Sequence, residues 1–258
     1  MKWLNYILVF FSFTVYSQDS IIPVIKQQRK LDVSKIIGID NFGTEYYVTN
    51  NILYKKTPEA TINYSNVQLG NITTVNTYNP LKIVLFYQDF NTVIILDNRL
   101  AEVFKIDFNT TQTYRNVSHV SIGNDNTIWI FNRDIQQLEL YDYKLKQVRA
   151  TTLPVTSEVL DLKSNYNYCW LLTENFVYKY NYFSSLLYKI KNEGYQKLAE
   201  TNDNILLQRE NELLYLDDKT QKILPLNLPE LLIKQFLVTT ETLYIYDSKI
   251  LHEFQLKN

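Results

Sequence analysis

The sequence predicts an all-β fold, a six-bladed β-propeller closed by an N-terminal outer strand. The first observation is a repeated phrase. Residues 93–103 (VIILDNRLAEV) and 138–148 (LELYDYKLKQV) place apolar residues, an aspartate, a basic residue and a closing valine in the same register. The second is a period of about 40 residues, which yields six units of the length of a four-stranded blade. The third is a strand that the last unit lacks. Five or seven blades are the alternatives.

Short apolar runs rich in Val, Ile, Tyr, Phe and Leu predict the strands of each unit, because Asn, Asp, Thr or Pro bounds almost every run. No segment offers a long run with helical spacing and a cap; residues 228–237 come nearest, and Pro229 limits any helix there to a short piece. The second strands of the six units are predicted at residues 45–49, 82–86, 128–132, 169–173, 205–208 and 243–247.

The last unit supplies three strands, at residues 233–238, 242–246 and 250–256. A candidate for its fourth strand lies at the other end of the chain, in residues 21–33. Pairing there would close the ring and remove an open sheet edge. Pro23 suits such an outer strand, because an edge strand need not donate every backbone N–H.

Recurrent residues within the units are interpreted as structural. Trp129, Trp170 and Tyr244 occupy matching places in second strands, which favours packing between blades over a ligand platform. An Asp or Asn opens the turn between the third and fourth strands, where its side chain can bond the backbone two residues on. Because the chain has only 5 Gly, Asn is expected to fill many positions that Gly would otherwise occupy. The turn residues are Asp97, Asp142, Asn181 and Asp217.

The N-terminal residues predict a secretory signal peptide over residues 1–17. Lys2 precedes an apolar run at residues 4–16, which is too short to span a bilayer, and Ser17 ends a small-residue cleavage pattern. A helical membrane anchor is the alternative, and it is disfavoured because no charged stop-transfer flank follows. We therefore expect one propeller domain over residues 18–258 in a soluble, exported and unanchored protein.

Composition argues against several classes of function. With 26 basic and 27 acidic side chains, the chain favours neither nucleic acid nor an anionic membrane surface as a partner. The single cysteine, Cys169, lies in an apolar strand and is expected to be a buried, inert thiol. His119 and His252 have no second ligand at metal-binding spacing and are expected to be surface or half-buried strand residues. No catalytic residue, metal or cofactor is predicted, so we expect a protein that is not an enzyme.

Tyrosine is abundant, with 21 residues, and suits either a protein interface or sugar stacking. The interface needs fewer assumptions, and a carbohydrate-active enzyme or sugar-binding propeller is the alternative. Plain strand packing is an equal alternative for these aromatics. The candidate partner-facing aromatics, near loops and outer edges, are Tyr166, Tyr168, Tyr180, Tyr182 and Phe183.

The signal peptide ending in Tyr16-Ser17-Gln18, the bias toward Asn, Lys, Ile and Tyr, and the sparse Gly resemble exported proteins of flavobacterium-type Bacteroidota. Over most of its length the chain resembles the small periplasmic propellers that accompany outer-membrane protein machines, including the PorD-type accessory subunit of the type IX secretion translocon. The resemblance implies a periplasmic scaffold that binds a protein partner in an outer-membrane complex. It rests on size, export signal and repeat pattern, so no functional residue is carried across.

Overall fold

A computed structural model of the protein describes residues 20–40 and 42–256. It contains six four-stranded antiparallel sheets, which confirms the six-bladed propeller and excludes five or seven blades. The predicted signal peptide at residues 1–17 lies outside the described residues. The strands are β1 (Val24–Lys30), β2 (Lys35–Ile39), β3 (Glu45–Thr49), β4 (Ile52–Lys56), β5 (Thr61–Tyr64), β6 (Thr74–Asn79), β7 (Lys82–Tyr87), β8 (Thr92–Leu96), β9 (Glu102–Asp107), β10 (Val117–Ile122), β11 (Thr127–Asn132), β12 (Gln137–Asp142), β13 (Gln147–Thr151), β14 (Val159–Ser164), β15 (Tyr168–Thr173), β16 (Phe176–Asn181), β17 (Leu186–Lys191), β18 (Lys197–Thr201), β19 (Asn204–Arg209), β20 (Glu212–Leu216), β21 (Ile223–Pro225), β22 (Gln235–Val238), β23 (Thr242–Tyr246) and β24 (Ile250–Gln255).

Blades 1 to 5 are β2–β5, β6–β9, β10–β13, β14–β17 and β18–β21, and blade 6 is β22–β24 with β1. The first strand of each blade contacts the first strands of its two neighbours, so these strands surround the axis. We call the strands of a blade A to D from the axis outward. The A–B and C–D turns lie on one face, the AB/CD face, and the B–C turns and D–A connections lie on the other, the BC/DA face.

The N-terminal strand closes the ring as the sequence predicts. Strand β1 pairs antiparallel with β24, from Val24 opposite Gln255 to Lys30 opposite Ile250. The residues before it also join blade 5, because the Ile21 N–H donates to the carbonyl of Pro225 at 3.1 Å. The N-terminal segment therefore links blades 5 and 6 before the chain enters blade 1.

The hydrophobic core is divided into six clusters, one between each pair of neighbouring blades. Trp129 is buried between blades 3 and 4, Trp170 between blades 4 and 5, and Tyr244 packs at the seam between blades 6 and 1. These positions confirm that the matched aromatics serve packing between blades. Cys169 is completely buried in the same way, and burial raises the pKa of its thiol well above the usual value.

The turn aspartates are confirmed as turn formers. Asp97 Oδ1 accepts the N–H groups of Arg99 and Ala101 at 2.8 and 2.9 Å, and Asn181 Oδ1 accepts two N–H groups of its own turn in the same way. The expectation that Asn replaces Gly holds only in part. Asn or Asp takes six of the 13 non-glycine positions with positive φ among the described residues, and the others include buried Leu100 at φ 61°.

Residues 228–237, the segment nearest to helical spacing, form no helix. Residues 227–234 are irregular, and Gln235 begins strand β22. Ile233 is buried between blades 5 and 6, and Leu228 and Leu231 pack against the same cluster. The apolar spacing therefore reflects contact with two blades rather than one face of a helix.

Candidate functional site

A central channel of about 990 Å³ is lined mainly by the A strands β2, β6, β14, β18 and β22. The A strand of blade 3, β10, supplies none of the lining residues. Its Ser121 hydroxyl is bonded on one side by the Asn76 amide at 3.2 Å and on the other by the Ser164 hydroxyl at 2.7 Å. The channel wall carries many charged and amide side chains. A channel with this lining suits a polar ligand better than an aliphatic channel would.

Basic residues line the channel, and we call three of them the lysine cluster: Lys35, Lys163 and Lys197. Lys35 and Lys197 begin their A strands at the BC/DA face, and Lys163 lies further along β14. Lys163 Nζ lies 3.5 Å from Asp161 Oδ1. The other oxygen of Asp161 accepts the backbone N–H of Leu198 at 2.8 Å, which fixes the carboxylate between blades 4 and 5. Desolvation within the channel and then repulsion from Lys163 lower the pKa of Lys35.

Carboxylates and aromatic rings gather at the opposite mouth, on the AB/CD face. The Asn165 amide donates to Glu200 Oε1 at 2.9 Å and to Asp203 Oδ1 at 2.7 Å, so one buried amide holds both carboxylates. The rings of Tyr78 and Tyr166 meet edge to face at 5.1 Å. Burial raises the pKa of Glu200 above the usual value. The channel therefore has one basic end and one acidic, aromatic end.

Apolar side chains also project from the loops of the BC/DA face. We call them the apolar rim, which comprises Val67, Phe90, Tyr114, Ile135 and Leu153, each of them exposed. Val67 and Phe90 belong to two short 3-10 turns, Val67–Leu69 and Gln88–Phe90. A Cβ on Gly70 would lie 3.3 Å from the Phe90 ring, so the two turns pack together. The rim follows consecutive blades from 1 to 4.

Asparagines hold the two D–A connections that carry Val67 and Tyr114. The Asn51 amide donates to the Gly70 carbonyl, and its oxygen accepts the Ile72 N–H, both at 2.7 Å. In the next blade, Asn91 donates to the Arg115 carbonyl at 2.6 Å and accepts the Val117 N–H at 3.1 Å. Each asparagine precedes the C strand of its blade and brackets the following D–A connection.

The five aromatics predicted to face a partner do not form one site. Tyr166 lies half-buried at the channel mouth. Tyr182 and Phe183 are exposed in the C–D turn of blade 4, with ring centroids 3.9 Å apart, and their contact with a partner stays a prediction.

Tyr180 is buried, so its assignment to a partner surface is wrong. It lies in a C strand, which neighbouring blades cover on both faces. Tyr168 is half-buried and already has a cation, because the buried Lys179 Nζ lies 3.7 Å from its ring centroid. Lys179 Nζ also lies 2.6 Å from Asp218 Oδ1, which links blades 4 and 5.

The histidines have structural contacts. His119 is half-buried as expected, and burial lowers its pKa. His252 is buried, against expectation, because Gln28 of β1 lies 3.0 Å from its Nδ1 and Asp247 Oδ2 lies 3.0 Å from its Nε2. Over residues 20–40 and 42–256, no three His, Cys, Asp or Glu side chains are grouped to hold a metal ion. Nor does that part of the chain contain a helix with the length and hydropathy needed to cross a membrane.

No protein-family model and no curated protein matches the sequence. Solved structures do match the fold. An inactive variant of virginiamycin B lyase from Staphylococcus aureus, with quinupristin, has TM-score 0.60 and 8% identity over 90% of this chain and 99% of its own. A chain of the mitotic checkpoint complex has TM-score 0.61 and 8% identity over 100% and 99%. BamB from Moraxella catarrhalis has TM-score 0.50 and 11% identity over 86% and 71%. The fold is a β-propeller. At these identities the likeness extends to the fold alone.

Proposed function

We propose that this propeller is an exported, non-catalytic scaffold that binds a protein partner, as an accessory component of an outer-membrane secretion or biogenesis complex. The apolar rim is the observation that carries the proposal. Five large apolar side chains lie exposed on consecutive loops of one face, and exposed apolar surface of this kind supports an interaction site. Val67 and Leu153, at the two ends of the rim, are 92% and 84% exposed.

Hydrogen bonds hold two of the connections that carry the rim. Asn51 fixes the connection with Val67 and Asn91 the connection with Tyr114, which lowers the ordering needed there when a partner binds. A mixed surface of apolar and polar side chains is also typical of interfaces between separately folded proteins. A propeller of the same fold occurs in the mitotic checkpoint complex, which supports a scaffold role for this propeller.

The sequence pattern of residues 1–17 supports export, and the resemblance to PorD-type accessory propellers supports the periplasmic side of the outer membrane as the location. Cell fractionation tests this part separately. We expect a tagged chain in the periplasmic fraction or peripheral to the outer membrane, and recovery in the cytoplasm would overturn it.

Pull-down with mass spectrometry after gentle extraction tests the scaffold. We expect the tagged protein to recover a membrane complex, and the double variant Val67→Glu/Leu153→Glu to lose it. A matched control, Val103→Glu/Leu145→Glu, places the same charges at exposed positions away from the rim. The proposal fails if the wild-type protein is recovered alone and monomeric, or if both variants lose the complex equally.

A second candidate, sugar binding, is favoured by the acidic, aromatic mouth. Tyr78 and Tyr166 offer ring faces beside Glu200 and Asp203, which is the combination that binds sugar rings and hydroxyl groups. Binding to a glycan array tests it. Tyr78→Ala/Tyr166→Ala should abolish a signal that Tyr182→Ala/Phe183→Ala leaves intact, and an array without any wild-type signal would refute this candidate.

A further inference from the structure

The lysine cluster carries more positive charge than its surroundings neutralise. Asp161 is its single close carboxylate, and both oxygens of Asp161 already accept backbone N–H groups, from Leu162 and Leu198, each at 2.8 Å. Lys35 Nζ has a backbone carbonyl, that of Thr73, at 3.3 Å. Among the described residues, neither Lys35 nor Lys197 forms an ion pair. Of the three ammonium groups, Lys163 alone is paired with a carboxylate in this part of the chain.

The other acidic side chains that line the channel, Asp40, Glu200 and Asp203, lie toward the AB/CD face, away from Lys35 and Lys197. Glu200 and Asp203 lie at the end of β18 toward the AB/CD face, where Asn165 holds them. Lys35 and Lys197 are the first residues of β2 and β18, at the opposite mouth. A strand rises about 3.3 Å per residue, so most of the length of β18 separates the two ends.

We propose that the lysine cluster is a binding site for a small molecule that carries several carboxylate or phosphate groups. At the basic end of the channel, a concave wall with an excess of positive charge concentrates anionic ligands. The volume of about 990 Å³ lies at the upper end of ordinary small-molecule sites. Lysine ammonium groups bind either oxyanion as point charges, without the fixed geometry of arginine. The site is separate from the apolar rim and does not depend on the protein partner.

Isothermal titration at low salt with citrate and with pyrophosphate tests the proposal and distinguishes the two anion types. We expect saturable binding of at least one probe, weakened by added salt because the charges are screened. Lys35→Met/Lys197→Met should weaken binding by about tenfold for each lysine, as expected for a lost charged hydrogen bond. Lys35→Arg/Lys197→Arg keeps both charges and should retain binding.

The matched control is Lys105→Met/Lys191→Met, which removes the same charge from exposed D strands. Its affinity should equal that of the wild-type protein, and thermal melting should show that all variants are folded. Saturable binding of citrate alone assigns carboxylates as the ligand groups, and binding of pyrophosphate alone assigns phosphates. The proposal is overturned if neither probe binds saturably, or if the control variant loses as much affinity as Lys35→Met/Lys197→Met.

Discussion

Replacement of Arg115 by methionine should destabilise the propeller strongly. Arg115 Nε donates to Glu139 Oε2 at 2.6 Å, and the two side chains are only 10% and 5% exposed. The guanidinium also donates to the Thr113 carbonyl at 2.7 Å and lies 5.2 Å from the ring centroid of Tyr141. This ion pair therefore joins the D–A connection after blade 2 to the C strand of blade 3.

The magnitude follows from burial. Removing one partner leaves the other charge buried, which costs about 3–5 kcal/mol, whereas removing both charges is often close to neutral. In Arg115→Met, Glu139 keeps one donor, the Asn132 amide at 3.2 Å. We therefore expect a loss of about 3–5 kcal/mol in the free energy of unfolding for Arg115→Met. The double variant Arg115→Met/Glu139→Gln should recover about 2 kcal/mol or more of that loss.

Urea unfolding of the wild-type protein, both single variants and the double variant measures this coupling as a double-mutant cycle. Arg115 adjoins Tyr114 of the apolar rim, so the same single variant should also weaken recovery of the partner complex. The reasoning is refuted if Arg115→Met costs less than about 1 kcal/mol. It is also refuted if the effects of the two single variants simply add in the double variant.

Three further predictions concern other buried groups. Burial lowers the pKa of Lys82 to about 8 from 10.5, so the unfolded chain binds that proton more tightly. Stability should rise by up to about 3 kcal/mol between pH 8 and 10.5, and a melting curve series should show no such rise for Lys82→Met. Trp170→Ala should cost about 3–5 kcal/mol in urea unfolding, and exposed Tyr182→Ala less than about 0.5. Tyr246→Phe removes a hydroxyl 3.0 Å from the Val33 carbonyl and should cost about 1 kcal/mol, read as faster hydrogen exchange in β1 and β24.

The blade plan could be predicted because its signals are local. Asp97 and Asp142 open equivalent turns, and each accepts N–H groups within four residues, so the repeat is visible in the chain itself. The same bonds explain why the expectation for Asn held only in part. They support the left-handed backbone at the end of the turn, so Leu100 and Lys146 can adopt positive φ without being Asn or Gly.

The candidate sites could not be predicted in the same way. The lysine cluster joins strands of blades 1, 4 and 5, and the mouth joins Tyr78 of blade 2 to Tyr166 of blade 4. Residues that far apart in sequence meet only once the ring has closed. His252 illustrates the point, because its burial depends on Gln28, 224 residues away. The asparagines that hold the connections did leave a sequence signal, an Asn immediately before the C strand at Asn51, Asn91 and Asn211. Asn211 donates to the Leu231 carbonyl at 2.7 Å and accepts the Ile233 N–H at 2.8 Å.

The apolar rim lacks such a signal because the sequence does not distinguish one exposed loop leucine or valine from another. Leu153 and Val67 lie on the same face only because consecutive blades place their D–A connections there. Tyr180 shows the converse error. Its position near a turn predicts an exposed side chain, although neighbouring blades cover a C strand on both sides.

The seam between blades 6 and 1 closes the ring and adjoins Lys35 of the proposed anion site. In the described part of the chain its cluster has three buried residues, Ile36, Tyr246 and Leu251, whereas each other seam has at least eight. Polar contacts therefore carry more of this seam, including the Arg29 to Glu45 ion pair at 2.8 Å.

Local unfolding needs the least free energy where the fewest apolar side chains are buried, so we expect the ring to open first between blades 6 and 1. Lys35 lies on blade 1 at this seam, and Lys197 lies on blade 5. An anion held by both ammonium groups would connect blade 1 to blade 5 across blade 6. Since such a ligand binds the closed ring and not the opened one, its binding energy adds to the stability of closure. A bound anion would also offset the repulsion between the ammonium groups, which stabilises the closed ring further.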